Sequence, residues 1–243
     1  MRTIKKVASH IFIDGFGGMT QGLFATLIIG TMIQQIGLLI GGSTGNVIYL
    51  LGKAAAALTS AGIGVGVAVK YGESPLVTVS AAVAAMVGGY AGKITGGTFF
   101  VDGNAVLAGP GEPLGAFIAA FAGITCGHLV SGKTKVDIIV TPVITIGAGS
   151  VVGLLVGPPI SQMMTGLGSI INWATEQRPF IMGIVVSVVM GMVLTLPISS
   201  AALGIILNLS GLAAGAATIG CCCNMVGFAV ASYRENKFGG LVA

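Results

Sequence analysis

Runs of about twenty apolar residues constrain this chain more than any other feature of its sequence. A helix needs about that length to cross the roughly 30 Å hydrocarbon core of a bilayer, and the runs lack the alternation of membrane-spanning β-strands. Charged residues make up only 7% of the 243 positions, whereas a soluble domain carries about a quarter. We therefore predict an all-α, polytopic integral membrane helix bundle.

Glycine is the second informative residue type, with 41 copies in the chain. In lipid the hydrophobic effect does not hold helices together, and small residues instead let helix backbones approach one another closely. Many of the glycines stand next to serine or threonine. This composition predicts a closely packed bundle with a polar interior.

Five spans are predicted before the proline pair at residues 158 and 159. The stretch 93–111 is too short and too rich in glycine to form a clean span of its own. The predicted spans cover residues 17–40, 45–69, 75–92, 114–131 and 138–156.

Pro158 and Pro159 are predicted to open a different kind of helix. Apolar residues from Ile160 to Ala174 recur at helical spacing on one face, and polar uncharged side chains occupy the other face. Such an amphipathic helix lies in the membrane interface, where Trp173, the single tryptophan of the chain, would serve as an anchor.

The apolar sequence is then interrupted at Pro197–Ser200, between two shorter runs that precede a last span. If the two runs are the arms of a re-entrant hairpin, eight basic residues of the chain fall inside and two outside, as the positive-inside rule favours. One ordinary crossing would instead place Arg234 and Lys237 outside. We therefore predict a re-entrant hairpin and a cytoplasmic N-terminus. The two runs cover residues 180–196 and 201–209, and the last span covers 212–232.

Charged residues inside membrane spans are costly and tend to be functional. Lys53 lies about eight residues into the second predicted span, and is either a snorkelling or paired cation or a contact for a solute. Glu112 precedes the fourth span on a turn fixed by Pro110 and Pro113. Its carboxylate can accept hydrogen bonds from sugar hydroxyls, or stabilise the start of the helix that follows. We predict Glu112, Lys53 and Pro113 as substrate-binding residues.

Four further residues complete the predicted solute site. Asn46 follows a glycine pair and either caps a helix or contacts the solute. Ser199 and Ser200 offer hydroxyl and helix-end amide groups at the predicted hairpin tip. His128 lies in the fourth span, some four turns from the start, and is either a satisfied histidine near the inner interface or a solute contact.

No motif for catalysis or for cofactor binding is present in the sequence, which lacks a phosphate-binding loop, HExxH and GxSxG. The four cysteines, Cys126 and Cys221 to Cys223, lack the paired spacing of a zinc site. We expect no catalytic residues, no metal, no cofactor and no nucleic-acid partner. ATP hydrolysis by this chain is excluded.

Four sequence blocks follow one another from residue 109 onward. They read GPGEPLGAFIAAFAG, SGKTKVD, TPVITIGAGSVVGLLVGPPI and SQMMTGLGSIINWATEQRPFIMG. In this order they resemble the membrane EIIC subunits of the bacterial sugar phosphotransferase system, of the fructose type. Over nearly its full length the chain is similar to the stand-alone, perfringolysin-regulator-like EIIC proteins (type 2 EIIC family).

The resemblance implies a homodimeric permease that binds a sugar within the bundle, with a separate EIIB protein that phosphorylates the sugar during uptake. Glu112 and Pro113 match the Glu-Pro pair of EIIC sugar-binding loops. Two features depart from the family pattern. Fructose-type chains place an acidic residue where this chain reads Leu196-Pro197-Ile198-Ser199-Ser200, and this sequence contains no EIIA or EIIB domain.

We expect a permease for a sugar or related small polar solute, built as one domain over residues 1–243 in the bacterial cell membrane. Relatives continue into further helices, which is also compatible with a C-terminally incomplete domain. Two other functions stay open: a membrane-embedded sensor or regulator with a transporter fold, and an ion-coupled carrier of a small organic anion. As an enzyme, the chain would at most be the membrane subunit of a sugar phosphotransferase system.

Overall fold

The computed structural model describes residues 14–101, 104, 105, 107, 109–193, 207 and 209–236. This part of the chain is helical, apart from turns and a short antiparallel ladder in which Phe100 pairs with Ala105 and Val101 with Asn104. The elements are α1 (Phe16–Leu23), a π-helical turn (Phe24–Ile28), α2 (Ile29–Ile40), α3 (Gly42–Ala57), α4 (Thr59–Lys70), α5 (Pro75–Gly89), α6 (Ala91–Thr95), β1 (Phe100–Val101), β2 (Asn104–Ala105), α7 (Pro113–Val130), α8 (Asp137–Gln177), α9 (Pro179–Val193) and α10 (Gly211–Asn236).

Several of these helices are long and apolar enough to cross a membrane. Among the described residues there are four such helices, and the bent pair α3–α4 is a fifth candidate. The predicted all-α, polytopic bundle is thereby confirmed. The four helices are Phe16–Ile40, Pro113–Val130, Asp137–Gln177 and Gly211–Ala231.

The first two spans form a helical hairpin held by facing glycines. Gly41 makes the turn with a φ of 64°, which glycine adopts without steric cost. A Cβ atom added at Gly18 would lie 2.7 Å from the Cα of Val67, so the two backbones meet without room for a side chain. The facing pairs are Gly18 with Gly66, Gly22 with Gly62, Gly30 with Gly52, and Gly37 with Gly45.

The returning arm of this hairpin is bent by 52° at Leu58, between α3 and α4. The buried hydroxyl of Thr59 donates to the carbonyl of Ala56 at 2.6 Å. Such a local bond competes with the regular helical pattern and favours a bend. The second span, predicted as one helix over residues 45–69, is therefore two helices.

Helix α8 packs against α5 and α7 along a stripe of small residues. Thr141 and Thr145 are fully buried, and glycines continue the four-residue spacing. A Cβ atom at Gly149 would lie 2.6 Å from the Cβ of Ala84 and 2.7 Å from the carbonyl oxygen of Ala119. The three helices thus approach one another too closely for larger residues on this stripe.

Helix α8 runs without interruption through Pro142, Pro158 and Pro159. The predicted boundary at the proline pair is wrong, because the helix that contains Trp173 does not begin there. Membrane helices tolerate proline where neighbouring groups support the freed backbone, and a Cβ at Gly157 would lie only 2.6 Å from the Cβ of Ala91. The 41 residues of α8 are about twice the number that one crossing needs.

The chain divides into two compact units, with the boundary between Met163 and Met164. In the second unit, α9 and α10 pack around a small core of Val186, Met190 and Ala217. This core is the site of close contact between the two helices.

Helices α9 and α10 run in the same direction. Two successive contacts show this: Ser187 lies against Gly220, and about one turn further the carbonyl of Gly191 accepts a hydrogen bond from Asn224 at 2.7 Å. Parallel neighbours begin at the same end of their unit. The predicted hairpin tip, Pro197–Ser200, lies outside the described residues.

Candidate functional site

The short segment Gly109–Glu112, called the Glu112 loop below, leads into α7. Gly109 and Gly111 have φ angles of 80° and 74°, in the left-handed region that favours glycine. The backbone N–H of Glu112 donates to the carbonyl of Gly89 at 2.7 Å. The loop is thereby fixed against the C-terminal end of α5.

Ser60, near the start of α4, fills the notch between the Glu112 loop and α5. Its hydroxyl is fully buried and donates to the carbonyl of Pro110 at 3.1 Å. A Cβ atom at Gly111 would lie 2.5 Å from the Ser60 oxygen, and one at Gly89 would lie closer still. Both positions need glycine because the serine side chain occupies the space.

Tyr90 ties the same loop to the end of α3. Its side chain is 1% exposed, and its hydroxyl lies 3.2 Å from the carbonyl of Ala57 and within hydrogen-bond distance of the carbonyl of Gly109. The ring packs against Phe99 at 5.4 Å between centroids, and the ammonium of Lys93 lies 5.4 Å from its centre. The Glu112 loop therefore rests on the break between α3 and α4 through two buried hydroxyls.

The Glu112 carboxylate caps α7, whose first residue, Pro113, is buried. One carboxylate oxygen accepts from the N–H of Leu114 at 3.1 Å, and the other accepts from the N–H of Gly115. Burial raises the pKa of this carboxyl, which precedes the span, while the two N–H groups oppose that shift. Each oxygen can accept a further hydrogen bond. The helix cap is therefore present, and contact with a sugar stays a prediction.

His128 lies away from the Glu112 loop, toward the opposite end of α7. The two residues are 16 positions apart, or about 24 Å along a helix. The His128 Nδ1 atom lies 2.9 Å from the Glu73 carboxylate, with the histidine side chain 70% exposed and the glutamate 9% exposed. The structure thus places His128 in a pair near the end of the bundle and does not bring it to Glu112.

Three basic side chains of the first unit lie at this same end, whereas Lys93 lies beside Tyr90 at the Glu112 end. The hydroxyls of Ser74 and Ser131 lie 3.1 Å apart, so the α4–α5 turn meets the α7–α8 turn. Lys70, Lys133 and Lys135 are exposed on these turns. The Glu112 loop lies at the other end of α5 and α7.

Lys53 and Asn46 are seven positions apart on α3, and both are exposed. They therefore share one face of this helix, beside the glycine face that packs on α2. Among the described residues, Lys53 has no carboxylate partner. No described contact brings either residue to the Glu112 loop, and the predicted residues Ser199 and Ser200 lie outside the described part of the chain.

Ser60 and Tyr90, which hold the loop, were not predicted from the sequence. Ser60 stands in an apolar run that reads as one span, and Tyr90 follows two glycines at the end of another. The sequence signal that points to them is the pair of glycines, Gly89 and Gly111, because such residues mark a close approach to the backbone. The partner in that approach is visible only in the fold.

Comparison with known proteins gives one family. A family model described as "Phosphotransferase system, EIIC" matches residues 13–243, which include the Glu112 loop and most of both units. No curated protein and no solved structure matches the chain.

Proposed function

Because the chain belongs to the EIIC family of the phosphotransferase system, the membrane permeases of sugar uptake, we propose that it binds a sugar or related polar solute at the Glu112 loop and translocates it. The family and the apolar helices make it a multi-pass membrane protein of sugar transport.

The observation that carries this proposal is a carboxylate on an irregular but fully braced segment between two apolar helices. The Glu112 loop is held by the N–H bond to Gly89 and by the hydroxyls of Ser60 and Tyr90. Irregular backbone between membrane helices is a recurrent setting for solute sites in transporters. A carboxylate that is already held in place can accept charge-assisted hydrogen bonds from sugar hydroxyls, and its side chain loses little conformational entropy on binding.

The other residues predicted to contact the solute have different roles in the proposal. Pro113 supports the site by fixing the first residue of α7. For Lys53 and Asn46, contact with the solute requires that their exposed face of α3 lines the path. We do not extend the proposal to His128, because its ring pairs with Glu73.

We further propose that the end carrying Lys70, Lys133 and Lys135 faces the cytoplasm of a bacterial cell, together with the N-terminus. The positive-inside rule supports this orientation, and the meeting of the two turns puts the three cations at one end. A separate EIIB protein would approach from that side. We also propose that residues 1–243 belong to a single EIIC-like domain. The chain acts as a homodimer, as the family resemblance implies.

Thermal unfolding of the detergent-purified protein with sugars, sugar phosphates, polyols and small organic acids tests the proposal. A ligand at 100 times its dissociation constant adds about 2.7 kcal/mol to the free energy of unfolding. Glu112→Gln removes a charged acceptor worth about 1.5–3 kcal/mol, so we expect the affinity for the bound sugar to fall by about 10- to 150-fold. Glu176→Gln, at an exposed carboxylate, is the matched control.

Each outcome of these experiments supports a different function for the site. Unchanged affinity in a folded Glu112→Gln protein would leave Glu112 as a helix cap only. Stabilisation by organic acids alone would transfer the proposal to an ion-coupled carrier. Sugar binding without sugar exchange across a membrane would favour the sensor or regulator, the function that the missing acidic residue between Leu196 and Ser200 also favours.

A further inference from the structure

Tyr90 has one hydroxyl proton and two backbone carbonyls within reach. The carbonyl of Ala57 belongs to the last residue of α3, where helix carbonyls lose their regular partners. The carbonyl of Gly109 belongs to the Glu112 loop. A phenol can donate to only one acceptor fully at a time, so the loop and the helix end compete for the same proton.

The ring of Tyr90 is braced, so its hydroxyl cannot turn away from both carbonyls. Phe99 packs against the ring at 5.4 Å between centroids, and Lys93 lies over it at 5.4 Å. A Cβ atom built at Gly111 would lie 3.2 Å from Cε2 of the same ring. A movement of the loop or of α3 therefore changes which carbonyl accepts the hydrogen bond from the hydroxyl, while the tyrosine ring stays in place.

We propose that Tyr90 is a positioning residue that couples the Glu112 carboxylate to the bend between α3 and α4. When the bend of 52° opens or closes, Ala57 moves relative to the hydroxyl, and the hold on Gly109 tightens or relaxes. The loop then reorients Glu112, three residues further along. The role of this coupling in transport rests on the proposed function. Solute binding at Glu112 would then shift the angle between α3 and α4, and that angle would in turn set the affinity for the solute.

The coupling can be measured without any sugar. The chain has four glutamates, so protein labelled with [5-¹³C]glutamate gives four carboxyl resonances, and the loss of one in Glu112→Gln assigns Glu112. Tyr90→Phe removes only the hydroxyl. We expect it to shift the Glu112 resonance while the Glu73 and Glu176 resonances stay in place.

Hydrogen exchange reports the other side of the coupling. In Tyr90→Phe we expect exchange in the last turn of α3, residues 54–57, to accelerate by about fivefold, the effect of one net hydrogen bond. Exchange in α8 and in α7 beyond its first turn, which Glu112 caps, should stay unchanged. Tyr71→Phe is the matched control, since Tyr71 packs on Phe121 at 6.2 Å elsewhere in the same unit. The control should leave both the Glu112 resonance and the α3 exchange unchanged.

Two results would overturn the coupling. One is a Glu112 resonance in Tyr90→Phe identical to that of the unaltered protein. The other is faster exchange in every helix together, which would give the hydroxyl a merely structural role. If Tyr90→Phe does not fold, Ser60→Ala removes the second hydroxyl that holds the loop, and the same shift is expected. Unchanged sugar affinity in Glu112→Gln would defeat the proposed function and leave this coupling standing.

Discussion

Gly111→Ala tests the packing of the Glu112 loop in depth. The φ of 74° at Gly111 costs an alanine about 1–2 kcal/mol. The new Cβ would also lie 2.5 Å from the oxygen of Ser60. Ser60 can move away only by giving up its bond to Pro110, which leaves the buried serine hydroxyl without its partner at about 1–3 kcal/mol. We expect the free energy of unfolding to fall by about 2–5 kcal/mol.

A double-mutant cycle separates the two causes. Ser60→Gly removes the hydroxyl and the clash together, so Gly111→Ala in that background should cost only the backbone strain. The coupling energy should therefore be about 1–3 kcal/mol, measured by circular dichroism during reversible unfolding in mixed micelles. Additive effects, within about 0.5 kcal/mol, would refute the contact. Gly147→Ala, where an added Cβ meets nothing within 4 Å, is the control and should not destabilise.

Three further substitutions test other parts of the fold. Gly149→Leu should lower the free energy of unfolding by about 1–3 kcal/mol because the leucine side chain would displace the neighbouring helices. A thermal midpoint equal to that of the unaltered protein would contradict the close packing of α8 against α5 and α7. His128→Gln should cost less than about 1 kcal/mol, since the pair with Glu73 is largely exposed on one side, and should leave sugar affinity alone. Asn224→Ala should cost about 0.6 kcal/mol, typical of a hydrogen bond between membrane helices, and a larger loss would indicate a second role.

Several membrane helices could be predicted within one residue because the bilayer fixes the length of an apolar run that crosses it. The span predicted at 17–40 occupies Phe16–Ile40, and the one predicted at 114–131 occupies Pro113–Val130. Local irregularities could not be predicted in the same way. The break at Leu58 depends on a hydroxyl bond inside an uninterrupted apolar run, and the continuity of α8 through its prolines depends on neighbouring helices.

The candidate site divides along the same line. Glu112 stands out in the sequence because prolines flank it and glycines precede it. Its support comes from distant positions: Ser60 is 50 residues away from Pro110, and Tyr90 is 19 residues away from Gly109. A single sequence does not show which glycine faces which side chain. Residue type therefore indicated the loop, and only the fold shows what holds it.

The most direct test of the central claim is counterflow of the sugar that stabilises the protein. Proteoliposomes preloaded with unlabelled sugar should accumulate the labelled sugar transiently when they contain the unaltered protein or Glu176→Gln. With Glu112→Gln the accumulation should fall by at least tenfold. Equal counterflow by Glu112→Gln and the unaltered protein would contradict the account and leave the carboxylate as the cap of α7 alone.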